Sequence, residues 1–213
     1  MGLDLRLSPE DEKFRRELRA WLENEVPLHG ATPAMHDFPA RRASDTRWQR
    51  KLFDAGYAGL HWPSEYGGRD LSLSQQLIYH EEVARAGAPD IGMNFVGLMH
   101  GGPTLIVEGS PEQKAQHLPA ILRGAEVWCQ GFSEPSAGSD LASLRTRAVR
   151  DGDAYVVSGQ KIWTSYAHQA DYCELLVRTD PQAPKHKGIS WLILSMRLPG
   201  IEVRPLKTLT GEG

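Results

Sequence analysis

The chain has 213 residues, 40% hydrophobic and 24% charged, with 24 basic against 27 acidic residues and a formal charge of −3. This is the composition of an ordinary soluble globular protein, with room for one large domain or two small ones. The near-neutral balance argues against nucleic acid as the main partner, because phosphate binding calls for a basic face.

Helical periods dominate up to about residue 125. Ser8-Pro9-Glu10-Asp11 has the form of a helix start, with a serine cap, proline at the first position and acids in the first turn. Phe14, Leu18, Trp21 and Leu22 then share one face, and Val26-Pro27 is expected to end the helix. A second helix is predicted over 44–55, turning Trp48, Leu52 and Phe53 inward and stopping at Gly56. The stretch HWPSEYGGRDLS reads as a loop, and a third helix follows over 72–85. The apolar, glycine-rich run 91–107 reads as a buried helix, or as two short ones meeting at Pro103. Ser110-Pro111-Glu112-Gln113 is a capping-box signature opening a last helix that stops near Gly124.

The pattern changes from Val127 onward. TRAVR-DG-DAYVVSG signals a hairpin about Asp151-Gly152. Further strands are predicted over 173–178, 189–194 and 201–204. Helices first and strands second is α+β grammar. The expected architecture is an all-helical domain over 1–125 and an antiparallel β-barrel or β-sandwich-like domain over 126–213.

Several chemistries can be set aside. Cys129 and Cys173 are too few for a disulfide framework or a thiolate metal site, and both read as buried reduced thiols. Neither GxGxxG nor GxxxxGK[ST] occurs. His80-Glu81 begins like a zinc-helix motif, but Ala84 stands where a second histidine is needed, and no metal is expected. Gly131-Phe132-Ser133-Glu134-Pro135 ends in proline where a nucleophile elbow needs glycine. No signal core and no run of ~18 apolar residues is present, so a cytoplasmic protein with no membrane partner is expected. Met1-Gly2 lacks the downstream serine or threonine that myristoylation uses.

One loop stands out. QGFSEPSAGSDLASL, residues 130–144, follows the first predicted strand and combines small residues with several hydroxyls. Such a loop lets a ligand approach the backbone and offers amides to an anionic or carbonyl acceptor, although Ser139-Asp140 could equally cap a turn. Past the hairpin comes GQKIWTSYAHQAD, residues 159–171. With these two segments the sequence resembles the acyl-CoA dehydrogenase family, whose members carry a [T/S]EPxAGSD loop and a K-x-W-[I/T]-[T/S] strand at this separation. The acidic N-terminal helix, the PxEYGG loop, the capped helix before the first strand and the KHKG loop extend the resemblance across the chain.

The resemblance implies an FAD-dependent oxidoreductase of fatty acid or sterol catabolism. In that family a carboxylate base removes the α-proton of an acyl-CoA thioester while the β-hydrogen leaves as hydride to the flavin. The implied cofactor-binding residues are Gln130, Phe132, Ser133, Ser139, Trp163, Thr164 and Ser165. Donors near Phe132 and Ser133 would meet the pyrimidine end of the flavin, and Trp163 would pack against the ring. Ser165 would lie beside the hydride-accepting nitrogen. Ser139 would contact the FAD pyrophosphate or the pantetheine arm of the substrate. Glu134 and Asp140 are expected to fix the loop and not to react. Ser136 replaces a common glycine, which is tolerable if its φ stays negative.

The family's base is commonly a glutamate in a C-terminal four-helix domain, expected to lie outside this chain; Glu212 does not match it. The chain therefore offers no catalytic residue, and by itself is expected to be inactive. The implied partners are an acyl-CoA, an electron-transfer flavoprotein, and further subunits of a homo- or hetero-tetramer. Alternatives are a flavin-binding but non-catalytic subunit of a hetero-oligomer, or a superfamily relative such as an acyl-CoA oxidase, a nitroalkane oxidase or a flavin monooxygenase. A DNA-associated relative is disfavoured by the lack of basic clusters. The glycines of IGMNFVGLMHGG, where relatives line the acyl cavity, suggest a branched or ring-bearing acyl group, or else only close helix packing.

Overall fold

A computed structural model describes residues 6–34 and 36–206. Gly2 and Glu212, both considered above, lie outside the described residues. The chain divides into two compact units, a first up to Ala125 and a second from Glu126.

The first unit is helical: α1 (Pro9–His29), α2 (Phe38–Asp54), α3 (Leu73–Ala86), α4 (Gly102–Glu108) and α5 (Pro111–Leu122). Ser8, Ser72 and Ser110 each cap a helix through a reciprocal capping box, satisfying amides that would otherwise lack a partner. α1 runs past Pro27 to His29, because a proline in the last turn sacrifices little of the hydrogen-bond ladder. α2 starts six residues before the expected Ser44, at Phe38. Asp37 is its true cap, accepting from the Ala40 amide at 3.2 Å, and Pro39 sits in its first turn.

Phe14, Leu18, Leu22, Trp48, Leu52, Ile78 and Tyr79 form the core of this unit. α1 and α3 are also clamped by Arg19, whose guanidinium donates to both oxygens of the buried Glu82 carboxylate at 2.6 and 2.8 Å.

The run 91–107 is broken into a 3-10 turn (Gly92–Asn94), a π turn (Gly97–Gly101) and α4. Asp45 of α2, itself buried, holds its start by accepting from the Met93 amide at 3.0 Å and from Arg41 at 2.8 Å. The π turn widens the helix where Trp62 inserts, its Nε1 donating to Leu98 O at 3.0 Å. Gly102 makes that insertion possible, since a Cβ there would stand 2.0 Å from Trp62 Cζ2. Gly102→Ala is therefore expected to destabilise the protein by about 2 kcal/mol through overpacking. A urea melt of the variant unchanged from the parent would remove this account of the glycine.

The second unit holds β1 (Trp128–Gly131), β2 (Arg147–Asp151), β3 (Ala154–Ser158), β4 (Tyr172–Arg178) and β5 (Ile189–Ser195) in one sheet. β5 pairs antiparallel along the whole of β4. The opposite edge of β4 is shared: β1 pairs with Tyr172–Leu175, and β2 joins at Arg178. A helical first part and a sheet in the second are as expected, but the sheet is mixed. β1 and β4 run parallel, which the long connection between them allows. The strand expected over 201–204 does not form, because no described strand lies alongside to complete a ladder. Cys129 and Cys173 sit opposite one another in the buried core with Ala148, Leu175 and Val177. The contact with Cys173, together with burial, pushes the Cys129 thiol well above its usual range.

Candidate functional site

β1 ends at Gly131 and β2 begins at Arg147, both against the same edge of β4. The intervening loop, 132–146, fills the gap between them. Its return is fastened where the Arg178 amide donates to Thr146 O at 2.7 Å, while the Arg178 guanidinium donates to the carbonyls of Ala142 and Leu144.

Glu134 is the centre of the loop. Its backbone closes a tight turn with Ala137, and its buried carboxylate accepts from the Arg145 amide at 2.7 Å and the Thr146 amide at 2.8 Å. A third donor arrives from the other motif: Lys161 Nζ, 2.9 Å from Glu134 Oε1 and 2.9 Å from Phe132 O. Burial alone would raise the Glu134 pKa, but these hydrogen bonds outweigh it and hold the carboxyl at about 2. Burial lowers the Lys161 pKa, opposed by Glu134. The Ile162 amide completes the join by donating to Ser133 O at 2.9 Å. Two segments almost thirty residues apart are thus held side by side by one ion pair, one lysine-to-carbonyl hydrogen bond and one backbone bond.

Residues 159–164 are irregular and not the expected strand. Trp163 has φ +61°, a left-handed conformation unfavourable for a bulky side chain and incompatible with a pleated strand. The result is a tryptophan presented outward, 70% exposed, beside the joined backbone. A strained, exposed tryptophan anchored by a buried ion pair is a reason to look for a ligand.

The other expected site residues divide. The carbonyls of Phe132 and Ser133 are both engaged, whereas among the described residues neither N–H of these two makes a hydrogen bond. Thr164 Oγ1 is buried without a partner among the described residues. Ser165 is exposed, its amide donating to Trp163 O at 3.1 Å. Phe132, Ser133, Trp163, Thr164 and Ser165 are therefore brought together. Gln130 turns elsewhere, its Nε2 donating to Glu174 Oε1 at 2.8 Å. Ser139 lies in an exposed turn. Its neighbour Asp140 accepts from Ser143 and from Lys185 at 2.6 Å, and Ser136 keeps a negative φ. Sequence reasoning missed Lys161 as a member of the site and Glu174 as a buried carboxylate; only the lysine carried a signal, its place in the K-x-W motif.

These residues fit a flat aromatic cofactor. An exposed indole offers a wall, and the unpaired amides and hydroxyl offer edge donors and an acceptor. Residues 8–125 match the family model described as acyl-CoA dehydrogenase, N-terminal domain, and residues 129–213 match the middle domain of the same family. The chain belongs to the acyl-CoA dehydrogenase family. It is 43% identical over 208 residues to the acyl-CoA dehydrogenase IpdE1 of Mycobacterium tuberculosis, covering 94% of this chain and 53% of that protein. Among solved structures it resembles the Tcur3481-Tcur3483 steroid ACAD, with TM-score 0.78 and 41% identity, over 98% of this chain and 53% of that one. It also resembles the ChsE4-ChsE5 complex of Mycobacterium tuberculosis, with TM-score 0.80 and 40% identity, over 99% and 52%. This acyl-CoA dehydrogenase chain thus spans about half the length of the relatives it matches. Among the described residues no helix is long and apolar enough to cross a membrane, and no cluster of potential metal ligands occurs.

Proposed function

We propose that the chain forms the flavin-holding part of an FAD-dependent acyl-CoA dehydrogenase acting on a bulky, ring-bearing acyl thioester. The observation that carries this reading is the Glu134–Lys161 ion pair, which sets Trp163 and Thr164 beside the amides of Phe132 and Ser133. Bound FAD would supply the two-electron acceptor for the hydride lost from the β-carbon of the substrate. The Phe132 and Ser133 amides would hold the pyrimidine edge of the flavin, and being fixed in advance they would need no reorganisation to stabilise negative charge there. Trp163 would exclude water from one side of the ring. Thr164 and Ser165 would offer hydroxyls that orient it, Ser139 would meet the pyrophosphate or the pantetheine arm, and Gln130 would reach the cofactor only by releasing the Glu174 carboxylate to which its Nε2 donates.

The bulky substrate is supported by the comparisons: identity is 41% to a structure described as a steroid ACAD but 30% to an isovaleryl-CoA dehydrogenase of Oryza sativa. The paired names of the Tcur3481-Tcur3483 and ChsE4-ChsE5 structures favour an assembly with a second kind of subunit. An electron-transfer flavoprotein as acceptor and a cytoplasmic location belong to the same proposal. The test is an absorption spectrum of the protein expressed from its whole gene, before and after anaerobic addition of linear, branched and ring-bearing acyl-CoAs. Flavin bands bleached by a ring-bearing thioester are the expected result. A colourless protein with no affinity for added FAD would overturn the reading, and bleaching only by short linear thioesters would overturn its substrate class.

A further inference from the structure

The Glu134–Lys161 pair is a buried dipole with a direction. Its two side chains are 5% and 11% exposed, so little water screens it. The negative end is fixed by the Arg145 and Thr146 amides at 2.7 and 2.8 Å. The positive end is not committed to the carboxylate alone, because Lys161 Nζ also donates to Phe132 O at 2.9 Å. That charge-assisted bond falls on the peptide group that joins Phe132 to Ser133.

A peptide group is one conjugated unit, with its C=O and N–H on opposite sides when it is trans. Drawing electron density toward the Phe132 oxygen makes the N–H of the same group, which belongs to Ser133, a stronger donor, since linked hydrogen bonds polarise one another. Among the described residues no peptide bond is cis, so the Ser133 N–H points away from Lys161. It makes no hydrogen bond among those residues. The Ile162 amide donates to Ser133 O at 2.9 Å, which holds the next peptide group and keeps this one from turning. One buried cation thus sits on the carbonyl side of a peptide group whose donor is uncommitted.

We propose that Lys161 is a positioning residue that raises the electron affinity of the bound flavin, acting through the Phe132–Ser133 peptide group. The inference rests on the reading that the Ser133 amide meets the pyrimidine edge of FAD. A hydride added to oxidised FAD leaves the ring with one negative charge. A donor strengthened by a cation therefore holds the reduced form more tightly than the oxidised one. A lysine that only braced the loop would hold both forms alike.

The experiment compares the protein expressed from its whole gene with its Lys161→Met variant, which keeps much of the side chain's length and removes its charge. Two quantities are measured. One is the dissociation constant of oxidised FAD, by titration of the cofactor-free protein; the other is the two-electron midpoint potential of bound FAD, against a reference dye. Lys161→Met is expected to weaken reduced FAD about tenfold more than oxidised FAD, which for a two-electron couple is a potential lower by about 30 mV. Should that variant not fold, Glu134→Gln/Lys161→Met removes both charges of the pair and is expected to lower the potential in the same direction. A potential unchanged or raised, in whichever variant folds, would overturn the inference and leave the flavin reading intact, whether or not oxidised FAD binds more weakly. A parent protein that takes up no FAD would overturn both.

Discussion

Glu134→Ala is expected to destabilise the second unit by about 3–5 kcal/mol, the cost of removing one partner from a buried ion pair. The carboxylate is 7% exposed and takes three donors, so its loss strands the Lys161 ammonium and two loop amides together. Lys161→Met is expected to cost less, because both amides keep their acceptor. A double-mutant cycle separates the pair from the rest. If the double variant is no less stable than Glu134→Ala, the two residues act as one unit, whereas additive losses would sink the idea that this pair joins the motifs. The pH dependence has a definite sign. The Glu134 carboxyl lies at about 2 in the folded chain, below its ordinary value of 4.5. Its stabilisation is thus present above pH 4.5 and lost as the pH falls towards 2, on the order of 3 kcal/mol over that window. Glu134→Gln should unfold with a flatter acid limb in a urea series from pH 5 to 2.

The parts of the fold that were readable in the sequence are those decided locally. Ser8 and Ser110 cap where their spacing to Asp11 and Gln113 placed them, because a capping box involves only four consecutive residues. The hairpin about Asp151-Gly152 is equally local. The parallel pairing of β1 with β4 was not legible, since strand direction depends on a connection of some forty residues and not on alternation. Asp37 was passed over as a cap because the apolar face of α2 becomes periodic only after Ser44. At the site, both motifs could be found by eye, but their junction could not. Nothing in KIWTS says that the lysine reaches back to a carbonyl at Phe132, or that the tryptophan adopts a left-handed backbone. Tertiary hydrogen bonds overrode the β-forming character of Ile162 and Trp163. Glu174 gave no signal at all, being an acid within an apolar strand whose acceptors are satisfied by Gln130 and Trp191 only after the sheet is assembled.

Trp163→Ala, in the protein expressed from its whole gene, is expected to weaken FAD binding by about 3 kcal/mol, at least a hundredfold, by removing a large buried aromatic contact. The indole is 70% exposed in the chain, so its truncation should leave the stability of the cofactor-free protein within about 0.5 kcal/mol. Trp163→Gly goes further. Glycine adopts φ +61° without strain, so this variant should weaken FAD equally while making the cofactor-free protein more stable by up to about 1 kcal/mol. Opposite signs on the two measurements, from flavin titration and urea melts, would mark Trp163 as a residue held in strain for binding. Should FAD bind both variants as tightly as the parent, the tryptophan is not the wall of the site, and the pairing of the two motifs around a flavin would lose its main support. A loss of stability as large as the loss of affinity would instead assign Trp163 to the packing of the second unit, with Thr164 Oγ1 the remaining candidate for direct contact.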